Sequence, residues 1–272
     1  MDSYAQVKEG MRWMWSLGSY PELAARLEPC ARELAATAGI GPGMDILDVA
    51  AGDGNLAMAA ASRGAKVTAC DLTLRMVELG RARSAADGLD VAWVEADAED
   101  LPFPAASFDL VASVFGAIFA PLPERVATEL FRAVRPGGVV AMANYASRGI
   151  LARITELVSG LRPAPAGVEL PSPYLWGDPA YVRHRFDGLA EPGSIHVRER
   201  TGTFEFSSVE EGVGFWHCTN PPQAALRSSV TDNLYRELMA GLERLFRELN
   251  RADDGRLLLE WDYVEVVARR PS

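Results

Sequence analysis

A chain of 272 residues with 49% hydrophobic content is long enough to bury a full core, as one large domain or as one domain with a cap. A net charge of -10 without any Lys/Arg-rich run disfavours a phosphate backbone as partner, so nucleic acid is not an expected substrate. Cys30, Cys70 and Cys218 are odd in number and scattered, which excludes a disulfide framework and a metal-ligand pattern; with no leader-like N-terminus and no apolar run of membrane-spanning length, a cytoplasmic protein without a membrane partner is expected.

From the N-terminus, residues 1–40 read as a helical segment. Ile46–Val49 is then a short apolar run with β-branched residues, the pattern of a buried strand. It leads into the small-residue turn Ala50-Ala51-Gly52-Asp53-Gly54-Asn55 and a helix over Leu56–Arg63. Such a turn lets a ligand approach the backbone closely, and the helix behind it offers unpaired N–H groups. Val67–Cys70 is the next strand, closed by Asp71, and Thr73 stands at the N-cap position of a helix over Leu74–Ala86. In a β-α-β unit a carboxylate at the end of the second strand lies beside the turn, where it can take ribose hydroxyls.

Val91–Glu95, Leu110–Val114 and Val139–Ala143 continue the strand series, with a helix over Pro123–Val134 and the stop Arg135-Pro136-Gly137-Gly138 before the last of them. The alternation predicts an α/β fold, a doubly wound, mostly parallel sheet. Residues 160–179 then change character, with Pro163, Pro165, Pro171, Pro173 and Pro179 around Tyr174 and Trp176, and read as irregular exposed backbone. Ile195–Phe206 alternates like a strand, and Leu234, Leu238, Leu242, Leu245 and Leu249 mark a helix face between Thr231 and Asn250. That face reads as core-directed, with a homodimer surface as the minority reading. Leu257–Ala268 reads as a closing strand that inserts antiparallel as the seventh of the sheet.

Ile46–Gly54 followed by Asp71 resembles the class I S-adenosylmethionine (SAM)-dependent methyltransferases, and three further segments agree in order and spacing. Glu95–Phe103 is similar to that family's adenine-binding segment, Phe108–Phe115 to its fourth strand, and Arg135–Gly138 to the turn before its fifth. The subgroup most resembled is that of the ubiquinone/menaquinone-type and related small-molecule methyltransferases, whose N-terminal cofactor-covering segment is similar to Trp15–Tyr20. The resemblance implies a Rossmann-like core over 41–148. It further implies a substrate cap over 149–250 that contributes one core strand near 195–206, and a closing strand within 251–272.

The same resemblance implies site residues. Asp71 would hold the ribose and Asp97 the adenine amino group, with Ala98 and Glu99 beside the ring and Leu72 and Met76 packed on it. Ala50, Gly52, Gly54 and Asn55 would line the methionine half, covered by Trp15 and Tyr20. Val114, Phe115 and Phe119 would sit near the transferable methyl. Phe115, Phe119, Tyr145, Tyr174, Trp176 and Trp216 are the candidate contacts of the acceptor, and His217 is the candidate general base. Ala50 stands where the family carries glycine, a replacement expected to be tolerated with φ negative. Asn144–Gly149 departs from the family pattern beside the acceptor pocket, so the acceptor is not carried over.

Two other readings stay open on the sequence. Gly52-Asp53-Gly54-Asn55-Leu56-Ala57 also fits the dinucleotide fingerprint of an NAD-dependent oxidoreductase, although Asp48 would set a negative charge beside a pyrophosphate. A non-catalytic SAM-binding protein is the other. The aromatic residues and His217 have a structural reading as core side chains. For the transferase the expected reaction is in-line displacement onto a small molecule, an aromatic natural product of secondary metabolism or a quinone-like metabolite.

Overall fold

The computed structural model describes residues 3–158, 161 and 168–272; Pro163 and Pro165 lie outside them. Seven strands form one sheet in the order β3-β2-β1-β4-β5-β7-β6: β1 Asp45–Val49, β2 Lys66–Asp71, β3 Val91–Glu95, β4 Phe108–Val114, β5 Val134–Tyr145, β6 His196–Phe206 and β7 Leu257–Arg269. The pairings among β1 to β5 are parallel, and β7 runs antiparallel to both β5 and β6. The doubly wound sheet with an inserted antiparallel last strand is therefore as the sequence predicts.

Side chains alternate across this sheet because the strand period is two. On one face Ile46, Leu110, Ala112, Ala141, Ala143, Trp261 and Tyr263 pack with α2 (Tyr20–Thr37), α3 (Asn55–Ala61), α6 (Ile150–Val158), α8 (Val209–Thr219) and α10 (Asp232–Leu249). On the other, Leu47, Val49, Val111, Val140, Met142, Val264 and Val266 pack with α5 (Pro123–Ala133) and α7 (Pro179–Arg185). The leucine face of α10 is core-directed at Leu242 and Leu245, joined by Tyr235 and Phe246.

Three local details differ from the sequence expectations. β3 is a sheet edge, so only Trp93 of its residues is buried. Arg135–Gly138 lies inside β5 as a bulge rather than before it, between the Phe108–Val134 and Leu110–Val139 pairs. A Cβ on Gly138 would stand 2.7 Å from the Asp109 carbonyl oxygen, so the bulge needs glycine there. Thr73 holds the N-cap position of α4 (Leu74–Ala86) with extended backbone, but its hydroxyl donates to Asp71 instead of accepting from the helix.

Two segments cover the carboxyl ends of the parallel strands. α1 (Ser3–Trp15) has no buried residue of its own. α9 (Pro221–Arg227) follows α8 after the single residue Asn220. Ser19 N donates to the Cys218 carbonyl at 3.2 Å and so joins the α1–α2 connection to the end of α8.

Candidate active site

At the end of β1 the chain turns sharply through left-handed backbone. Ala50, Gly52 and Gly54 have φ of 54°, 58° and 94°. The negative φ expected for Ala50 is thus not observed, and an L-residue holds a conformation normally left to glycine. Relief of left-handed strain is worth about 1–2 kcal/mol, against about 0.4–1 kcal/mol of added unfolded-chain entropy. Ala50→Gly is accordingly expected to raise the unfolding free energy by up to about 1 kcal/mol, read by denaturant titration. Tyr20 lies directly over the turn, since a Cβ on Gly52 would meet its ring at 2.9 Å.

Buried carboxylates organise this turn. Asp48 accepts from Ala57 N at 2.9 Å, which anchors α3, and burial pushes its carboxyl up to about 8. Its second oxygen has no partner among the described residues. Asp71 accepts from Gly52 N at 2.9 Å and from the N–H and hydroxyl of Thr73 at 3.0 and 2.9 Å. Burial raises its carboxyl above the ordinary range, and these donors oppose the shift. The Leu72 backbone opposes the shift as well, and Oδ2 carries only the Gly52 hydrogen bond, which leaves acceptor capacity there for a ligand. Burial, reinforced by Asp53, Asp71 and Asp48, also raises the Tyr20 phenol.

A second acidic group lies across the slot from Asp71. Asp97 accepts from Glu99 N at 2.9 Å and pairs with Lys8 of α1 at 2.6 Å. Lys8 also reaches Glu99 at 2.5 Å. Burial works against the Lys8 charge, but the two carboxylates outweigh it and hold the ammonium above its ordinary range. Trp15, at the end of the same helix, packs on Phe119 with ring centroids 5.2 Å apart and on Tyr20 at 6.1 Å.

These groups border one cavity of about 1430 Å³, its open mouth included. Asp71, Leu72, Met76, Ala96, Asp97 and Ala98 form one end. A carboxylate with free acceptor capacity, an apolar slot and a second carboxylate can accept from ribose hydroxyls, pack on adenine and accept from its amino group, so the residues present fit SAM. Phe115, Tyr145, Tyr174, Phe204 and Trp216, with Leu151, Ile154 and Val158, wall the other end. Phe115 holds φ 57° and stacks on Tyr145 with centroids 4.3 Å apart.

Most of the sequence-predicted residues converge here: Trp15, Tyr20, Ala50, Gly52, Asp71, Leu72, Met76, Asp97, Ala98, Phe115, Phe119, Tyr145, Tyr174 and Trp216 all line the cavity. Others do not. Asn55 donates to the Ala24 carbonyl at 2.7 Å and, with Val114, borders a smaller pocket behind the turn. Gly54 lies under Trp93, whose ring a Cβ there would meet at 2.7 Å. Glu99 turns its carboxylate to Lys8 and to Leu122 N.

Trp176 is buried in the opposite core beside Tyr181 and Phe186. The irregular segment around it is therefore not exposed at this point. His217 points away from the cavity and is hydrogen-bonded through Nδ1 to the Tyr235 hydroxyl. Residues the sequence reading passed over include Lys8, Phe204, Asn220 and Gln223. Lys8 lies on a half-buried helix, and no local pattern marks its partner 89 positions away.

Comparison with known proteins follows this geometry. The family model described as "Methyltransferase domain" matches residues 46–138. An uncharacterized protein of Mycobacterium tuberculosis is 35% identical over 265 residues, covering 95% of this chain and 93% of its own length. Demethylmenaquinone methyltransferase of Clavibacter sepedonicus is 40% identical over 116 residues, 42% of this chain and 47% of that protein. Phosphoethanolamine N-methyltransferase 2 of Haemonchus contortus, solved with phosphomonomethylethanolamine and S-adenosylhomocysteine, superposes with a TM-score of 0.57 at 20% identity. That match covers 90% of this chain and 53% of the other.

Proposed function

This chain belongs to the class I SAM-dependent methyltransferases, and from that premise we propose that it methylates an uncharged, mainly apolar, aromatic small molecule. The observation that carries the reading is the chemistry of the cavity. Its lining ionisable side chains other than phenols, Lys8, Asp71 and Asp97, lie at the adenosyl-type end, and no imidazole or carboxylate lines the aromatic end among the described residues. Residues 159–160 and 162–167, outside the described set, contain Arg162 but no His, Asp or Glu.

When bound, SAM supplies a methyl group on a sulfonium centre. Asp71 would hold the ribose through its free acceptor capacity, Leu72 and Met76 would pack on the adenine, and Asp97 would accept from its amino group. Phe115 and Tyr145 present aromatic faces, which favour a neighbouring cation. Trp15, Tyr20 and Phe119 close the mouth and exclude water. Alignment of the accepting atom supplies roughly 7–11 kcal/mol of barrier reduction in reactions of this kind.

The phenols of Tyr20, Tyr145 and Tyr174 are all raised by burial, so they stay protonated near neutral pH. The accepting atom must therefore be nucleophilic without losing a proton first, as an electron-rich ring carbon is. His217→Ala is expected to retain turnover. Calorimetric titration with SAM and with NAD, then mass detection of one added methyl across neutral aromatic metabolites, tests the reading. Binding of NAD without SAM, or methylation confined to charged aliphatic amines, would overturn it.

A further inference from the structure

The wall made by the end of α8 and the start of α9 carries three polar atoms that the protein leaves unpaired. Trp216 Nε1, Asn220 Oδ1 and Gln223 Oε1 are buried without a partner. All three residues line the cavity, with Trp216 4% and Gln223 5% exposed. Buried polar atoms are nearly always hydrogen-bonded, so three orphans on one cavity wall need a reason.

Local structure explains why the amides are free. Asn220 and Gln223 occupy the N-cap and N3 positions of α9, the places where a capping box would pair them. That pairing does not form. An N-cap side chain accepts from N2 or N3, but N2 is Pro222, which has no N–H. The Gln223 N–H is already taken by the Asn220 carbonyl oxygen at 3.0 Å. The Asn220 side chain makes no cap hydrogen bond. Both amides thus remain available on the cavity wall.

On the methyltransferase reading above, we infer that Trp216, Asn220 and Gln223 are the acceptor's specificity-determining residues. Trp216 Nε1 donates to a carbonyl-type oxygen, and the two amides take a hydroxyl or N–H on the same molecule. The acceptor class is a flat, neutral, hydroxylated aromatic carbonyl compound. A carboxylate-bearing analogue is expected to bind less well, because among the described residues no cation lines the cavity beside these three side chains.

The test uses the full-length protein saturated with S-adenosylhomocysteine and three probes followed by fluorescence titration. A hydroxyacetonaphthone carries both polar groups, ethylnaphthalene carries neither, and a hydroxynaphthoate carries the charge. The unaltered protein is expected to prefer the first. Gln223→Leu, Asn220→Leu and Trp216→Phe each weaken its binding about threefold to tenfold. They leave ethylnaphthalene and S-adenosylhomocysteine affinities unchanged.

Because Gln223→Leu removes an unpaired buried group, the unliganded variant is also expected to melt about 2–4 °C higher. Equal loss for both neutral probes, no preference between them, loss of S-adenosylhomocysteine affinity in the variants, or a lower melting point would each overturn the assignment. Failure of the unaltered protein to bind S-adenosylhomocysteine sinks the parent reading and the assignment together. A protein that binds it but is indifferent to the substitutions sinks the assignment only.

Discussion

Asp71→Ala lowers the affinity for S-adenosylhomocysteine by about tenfold to a hundredfold, the expected loss of a hydrogen bond to a charged acceptor together with the turn it anchors. The side chain does two things at once. It ties the Gly52 N–H to the end of β2, and it keeps acceptor capacity facing the cavity. Asp71→Asn is not a gentle substitute. Its NH2 would face the N–H of Gly52 or of Thr73, a repulsive contact in a buried place. Thr73→Val separates the two roles, because it removes only the hydroxyl contact to Asp71 and leaves the cavity-facing acceptor in place. Calorimetry should show a much smaller loss for Thr73→Val. Equal losses for the two variants, or unchanged affinity in a folded Asp71→Ala protein, would remove Asp71 from the ribose site.

Gly116→Ala has the second large expected effect. A Cβ there would lie 2.2 Å from the Ala50 carbonyl oxygen and 2.7 Å from the Ala50 Cβ. The obstacle is backbone, so no rotamer change relieves it. Gly116 follows Phe115 at the end of β4, and Ala50 follows the end of β1; the two adjacent strands meet where the cofactor turn begins. Overpacking of this kind costs about 1–3 kcal/mol or more. A variant that folds must push the turn outward, so cofactor affinity falls along with the melting temperature. Gly214→Ala is the matching control. It lies inside α8, its Cβ would meet nothing within 4 Å, and it should gain about 0.5–1 kcal/mol from helix propensity. If Gly116→Ala and Gly214→Ala melt alike, the close approach of the two strand ends is not what holds the turn.

The sheet and the adenosyl end of the site were legible from the chain because both are encoded locally. Strand runs such as Ile46–Val49 and Leu110–Val114 declare themselves by composition and length. Asp71 and the Gly52–Gly54 turn sit within one β-α-β unit, whose handedness and short connections leave little freedom. Four motifs in fixed order therefore carried fold, enzyme class and cofactor together.

Other features depend on how distant segments meet, and only the tertiary structure decided them. Lys8 finds Asp97 because α1 folds back over the sheet, an approach no local pattern specifies. Ala50 takes positive φ because its strand end is held against Gly116, whereas composition alone favoured the relaxed backbone. Trp216 and His217 are neighbours in sequence, yet one faces the cavity and the other faces Tyr235. Successive residues on a helix point about 100° apart, so the packing of α8 on α10 selects which side chain reaches the cavity.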